Sequence, residues 1–158
     1  MVLNKKGIIQ QFGLVVYPVD FVVVIGDMED KVNELYKPFC ESKNWIVFPN
    51  TSGATYQIRE KATNIPCIMI WVQEKEEFTT SIVSHECAHA AMEIWRYIGS
   101  EVSLENQEPF AYLLGNLVRL AVGCFYEIPG ITPPVVSKDA FEDKKVDKVR
   151  KKVSKKKK

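Results

Sequence analysis

From Thr79 to Tyr97 the chain has neither proline nor glycine, and Gly99 stands just beyond. Such a stretch is expected to form a helix of about five turns, stopping where glycine permits a left-handed residue. Inside it lies Ser84-His85-Glu86-Cys87-Ala88-His89-Ala90, and His85 and His89 are the only two histidines of the 158 residues. Four residues apart on a helix, two side chains share a face with Cβ atoms roughly 5–6 Å apart. Two imidazoles so placed can hold one Zn2+ at about 2.0–2.1 Å each. Glu86 is one position round the helix and cannot join them on the ion, but it can reach a water there and act as general base.

The same count excludes other metal chemistry. With two histidines, and with Cys40, Cys67, Cys87 and Cys124 too scattered for a C-x-x-C pair, the chain makes no zinc ribbon, treble clef or three-histidine site. A third ligand to a histidine pair must then be a carboxylate or a cysteine. Glu93 continues the helical face but is eight residues from His85, about 12 Å along the axis. Glu101 is expected in a loop, while Glu105 and Glu108 fall in the first turn of the next helix. Geometry alone does not choose between the last two.

Around this helix the pattern is that of a small α+β domain. Phe12 to Ile25, rich in Val and Ile, predicts one or two strands broken near Pro18 and Asp20. Asp27 is placed to cap a helix toward Ser42, with Val32, Leu35 and Tyr36 at helical spacing. Trp45–Phe48, Thr55–Arg59 and Cys67–Val72 are expected strands, separated by turns at Pro49–Gly53 and Asn64–Pro66. A second long helix starts between Ser103 and Asn106 and runs to about Tyr126, with Pro109 tolerated only in its first turn. Its Leu113, Leu117, Leu120 and Ala121 form an apolar stripe suited to core packing. Cys87 falls roughly opposite the histidines and is expected in the core.

The net charge of +1 conceals two unlike parts. Residues 137–158 hold 11 Lys/Arg against 4 Asp/Glu, whereas residues 1–136 hold 10 against 16. The expected organisation is an acidic domain over 1–136 and a basic, disordered tail over 137–158. The acidic body is a poor nucleic-acid binder. In the tail, Val146, Val149 and Val153 recur among lysines, a pattern open to nucleic acid, an acidic partner or simple solvation. No segment has the length and flanks of a membrane span or secretory signal, so a cytoplasmic protein with reduced thiols is the expectation.

His85-Glu86-x-x-His89 followed after eighteen residues by Glu108 resembles the H-E-x-x-H-x18-E spacing of gluzincin metallopeptidases. Gln107-Glu108-Pro109-Phe110-Ala111 is similar to the Asn-Glu-Gly-Phe-Ala of their aminopeptidase branch. In size and in the Phe-Ala-Tyr-Leu after the glutamate, the chain looks like small metallopeptidases encoded by phages and prophages, a likeness that implies a cytoplasm, that of a virus-infected host cell included. The resemblance implies a zincin-like fold, with a mixed sheet, an H-E-x-x-H helix and a second helix carrying the glutamate. It also implies Zn2+ on His85, His89 and Glu108, Glu86 polarising the attacking water, and a peptide or protein substrate aligned on an edge strand. Thermolysin-type members have an Asp one turn after the ligand glutamate, where this chain has Tyr112. Facing the same way as Glu108, Tyr112 can orient His85, donate to a tetrahedral oxyanion, or be an ordinary half-buried tyrosine. Tyr56 and Arg59 lie in strands that could border the cleft.

Two other functions fit parts of the pattern. A deformylase-like amidase would take Cys40 as third ligand, but Phe39-Cys40-Glu41-Ser42 lacks the Gly-Cys-Leu-Ser context of that family. An interaction module would use a structural or vestigial zinc site and leave the work to the basic tail.

Overall fold

The computed structural model describes residues 1–4, 7–40, 45–73 and 79–126. The expected boundary near residue 136 and the Lys-rich tail lie outside them. The elements are β1 (Val2–Asn4), β2 (Gly7–Gly13), β3 (Asp20–Gly26), α1 (Glu29–Leu35), β4 (Tyr36–Pro38), β5 (Gly53–Glu60), β6 (Pro66–Val72), α2 (Thr80–Tyr97) and α3 (Gln107–Tyr126). The class is α+β, as the period changes along the chain predict.

The strands form one mixed sheet of six in the order β1-β2-β3-β6-β5-β4. Only β3 and β6 are parallel, in register from Asp20↔Cys67 to Ile25↔Val72; the other neighbours are antiparallel. These two central strands are buried on both faces, and their side chains divide between two cores. Phe21, Val23, Ile25, Ile68 and Ile70 pack under Val83, Cys87, Ala90 and Ile94 of α2 and Leu113, Leu117, Ala121 and Cys124 of α3. Val22, Val24, Met69 and Trp71 face the other way, toward Met28, Val32, Tyr36 and Ile46.

The long helices begin and end largely where sequence chemistry puts them. The Thr79 side chain accepts a hydrogen bond from the Ile82 N–H at 3.3 Å and opens α2. Gly99, at φ +73°, closes it: Gly99 N–H donates to Arg96 and Ser100 N–H to Trp95, a Schellman arrangement. α3 starts at Gln107, slightly later than expected, because Asn106 ties the loop to itself. Its side chain accepts from Ser103 N–H at 2.7 Å and donates to the Glu101 carbonyl at 2.6 Å. By length and composition α3 could cross a membrane; 22% of that stretch is buried in the domain, Leu113, Leu117, Ala121 and Cys124 forming the stripe.

Three local expectations need correction. The first long strand starts at Gly7 rather than Phe12, and the break covers Leu14 to Val19, which joins two antiparallel strands. The first helix is capped at Met28 without a side-chain hydrogen bond and ends at Leu35, where Tyr36 turns extended to pair with Glu60. Trp45–Phe48 is not a strand. Asn33 binds both the N–H and the carbonyl of Ile46 at 2.7 Å, and Glu29 accepts from Phe48 N–H at 2.7 Å. Side chains of α1 satisfy that backbone in place of a β ladder, which is all that burial requires.

Candidate functional site

Both histidines emerge from the outer face of α2, while Cys87 between them points into the core, as the helical period dictates. Burial pushes the Cys87 thiol up to about 12, and nearby Glu86 adds to the effect. It is therefore a neutral packing group. His85 and His89 are exposed, with Nε2 atoms 3.1 Å apart and rings nearly perpendicular at 81°. Two tetrahedral zinc ligands stand about 3.3–3.4 Å apart for bonds of 2.0–2.1 Å. The pair is within a few tenths of an ångström of that spacing.

Glu86 is placed differently. It is 6% exposed, and Thr55 Oγ1 lies 2.8 Å from its Oε2 and 3.1 Å from its backbone oxygen. One hydroxyl on β5 thus ties together the carboxylate and the helix that bears it. Gly53, two residues earlier on the same strand face, provides the room. A Cβ there would stand 3.1 Å from Glu86 Cγ, 3.2 Å from its Oε1 and 3.2 Å from Ile82 Cγ2. Sequence alone does not single out Thr55 or Gly53: a Gly-x-Thr at the start of a half-buried strand carries no sign of the helix it faces.

The cleft between β5 and α2 measures about 430 Å³ and is lined by Gly53–Gln57, His85, Glu86, His89 and Glu93. On its outer side β5 is paired by β4 only from Ile58 to Glu60, and Phe39 N–H takes the Gln57 carbonyl at 3.1 Å. Among the described residues no strand pairs with Gly53 to Tyr56 on this side, although the Gly53 carbonyl accepts from the Thr51 hydroxyl at 2.9 Å. Tyr56 reaches the cleft only by its place on β5; its side chain packs with Phe48 against the core on the other face of the sheet. Its hydroxyl donates to the Val47 carbonyl at 3.0 Å, and burial, with Glu29 and Glu86 nearby, raises its pKa well above the ordinary tyrosine value. Arg59 instead stacks over Phe39 at 4.3 Å.

The other candidates stand apart. Glu108 is exposed in the first turn of α3, and Tyr112 is 77% exposed; neither lines the cleft. Glu105 precedes the helix rather than opening it, and a hydrogen bond from Ser103 holds its carboxyl below the usual range. Cys40 is exposed beyond β4 and does not line the cleft either. Among the described residues no three His, Cys, Asp or Glu side chains are close enough to share one ion. The histidine pair therefore fits a zinc ion, but the carboxylate that would complete the set is not beside it. Glu93, set aside as a ligand for its distance from His85, lines the same cleft, where it binds Gln57 and Arg96.

Compared with known proteins, the chain matches no protein-family model, no curated protein and no solved structure.

Proposed function

We propose that the chain is a zinc-dependent metallohydrolase of zincin-like fold, acting as a peptidase. The observation that carries this reading is the convergence on one open cleft of a histidine pair at ligand spacing and a carboxylate pinned beside it. In this proposal His85 and His89 would hold Zn2+; Glu108, the third ligand by gluzincin spacing, stands outside the cleft and would have to move to join them. When bound, the ion would acidify water toward a pKa of about 7 and polarise a carbonyl. The chain's own residues supply the rest.

Glu86 takes the proton from the attacking water and returns it to the leaving amine. Thr55 occupies Oε2, which leaves Oε1, on the Gly53 side, as the accepting atom. Apart from the Gly53 carbonyl, which Thr51 occupies, the edge from Gly53 to Tyr56 would offer backbone donors and acceptors to an extended peptide added as a further strand. A peptide so paired would cross the face where Glu86 and the histidines meet.

The test combines metal content with turnover. Purified wild type and Glu86→Gln are expected to carry equal, near-stoichiometric zinc by elemental analysis, with only the wild type cleaving a mixed-sequence peptide pool. Wild type that takes up no zinc when supplied with it, or Glu86→Gln that cleaves as fast, overturns the proposal.

A further inference from the structure

Beyond Gln57 the cleft meets a partition. Gln57 of β5 donates from Nε2 to the Glu93 carboxylate on α2, and Arg96 holds the same carboxylate at 2.8 and 3.1 Å. Behind this bridge lies a second, more enclosed cavity of about 170 Å³, bordered by Gln57, Glu93 and Arg96 as the first is by Gln57 and Glu93. Its remaining walls include Val19, Phe39, Pro66, Ile68 and Tyr97.

We propose that this cavity receives one neutral apolar side chain, of leucine to phenylalanine size, from a peptide extended along the unpaired edge of β5. The proposal rests on the peptidase reading for the course of that peptide, but the cavity and its chemistry stand on their own residues.

Four observations lead to this occupant. The volume suits a single side chain, since an apolar cavity of about 150 Å³ is enough to hold benzene. Charge at the mouth is already balanced, because Glu93 has both Arg96 and Gln57. An ionic side chain would find no free counter-charge in that bridge. The wall is also preformed: the Phe39 ring lies under the Arg59 guanidinium at 4.3 Å and edge-on to Tyr97 at 6.3 Å. A fixed wall spares the entropy of ordering it on binding.

Position supplies the fourth argument. The unpaired edge of β5 ends where Phe39 N–H takes the Gln57 carbonyl. A peptide lying along that edge must stop pairing there, and its last paired residue reaches the partition. Alternate side chains of an extended strand point to one side, so one of them is directed at the cavity mouth.

The test uses the zinc-free, isotope-labelled full chain and three capped amino acids: N-acetyl-leucinamide, N-acetyl-phenylalaninamide and N-acetyl-alaninamide. Leucine and phenylalanine derivatives are expected to shift the backbone amide signals of Phe39, Ile68 and Tyr97, with the alanine derivative at least about tenfold weaker, as loss of several buried carbons requires. Gln57→Trp, a change at an exposed strand position that covers the mouth, should abolish these shifts with an unchanged melting temperature.

In a second arm, cleavage of the mixed peptide pool by the wild type should show an apolar preference at one fixed position. The two readings fail separately. Amide shifts without any cleavage would sink the peptidase and keep the cavity. Cleavage with no apolar preference, and no shifts in the wild type, would sink the cavity and keep the peptidase.

Discussion

The two glutamates proposed for the site, Glu86 and Glu108, have opposite surroundings. Glu86 is buried, bonded by Thr55 and fitted against Gly53. Glu108 is exposed in the opening turn of α3, beyond a loop from Ile98 to Asn106. The first belongs to the same rigid helix as the histidines, so its position follows from residue spacing alone. The second reaches them only through a loop whose path is set by its own hydrogen bonds, among them those of Asn106 with Ser103 and Glu101. Spacing within a helix fixes geometry to within ångströms; spacing across a loop fixes only how far the chain can reach.

Four substitutions would break or sharpen that contrast. The largest effect is expected from Glu86→Gln, which keeps shape and burial but removes the proton acceptor. Turnover should fall roughly 10²–10⁴-fold, with zinc content and melting temperature unchanged; a matched loss of zinc would show Glu86 to be a ligand instead.

Next is Glu108→Ala. Loss of a ligand should weaken zinc binding by more than the 10–100-fold typical of a supporting hydrogen bond. Because the side chain is exposed, stability should move by no more than about 0.5 kcal/mol. Unchanged zinc affinity in a chelator competition would take Glu108 out of the site, and the same measurement on Glu105→Ala would then show whether that residue replaces it.

Thr55→Val removes the hydroxyl that holds Glu86 but keeps the strand-favouring shape. An expected cost of about 1.5 kcal/mol in transition-state stabilisation, near tenfold in rate, should appear in kcat rather than KM. Thr55→Ser should restore most of it. If Val and Ser behave alike, the hydroxyl has no positioning role.

Gly53→Ala is the mildest. Its Cβ would press on Glu86 and Ile82 at 3.1–3.2 Å, so the neighbours must give by a few tenths of an ångström. A few-fold drop in turnover is expected, with little change in melting temperature. A contrasting control is Gly7→Ala, where a Cβ would meet the Ile25 carbonyl oxygen at 1.9 Å and the backbone itself must move. There stability, not turnover, should carry the loss, by about 1–3 kcal/mol in denaturant unfolding.

The fold was legible where a local rule acts without competition. Thr79 and Gly99 bracket α2, Pro109 sits in the first turn of α3, and the Val- and Ile-rich runs became β3 and β6. Legibility failed where a partner distant in sequence decides. Trp45–Phe48 has the apolar composition of a strand, but Asn33 and Glu29 satisfy part of its backbone before any ladder could. The helix toward Ser42 stops at Leu35 because Tyr36–Pro38 finds an open edge at Ile58–Glu60. Glu93 is too far along the helix to share an ion with His85, and nothing local shows that with Gln57 it closes one end of the cleft.

What the sequence determined by itself is therefore the helix and everything rigidly attached to it. His85 and His89 share a face, Glu86 stands beside them and Cys87 turns inward, because a 3.6-residue period leaves no other arrangement. Only the tertiary structure decided what that face meets. It brought up the Gly53–Gln57 edge, the Thr55 hydroxyl and the cavity behind Gln57 and Glu93, and it left Glu108 and Tyr112 outside the cleft. The physical reason is the reach of the forces involved. Helix geometry is set by hydrogen bonds four residues apart, whereas the packing of a strand against that helix depends on the whole sheet and on both cores that fix it.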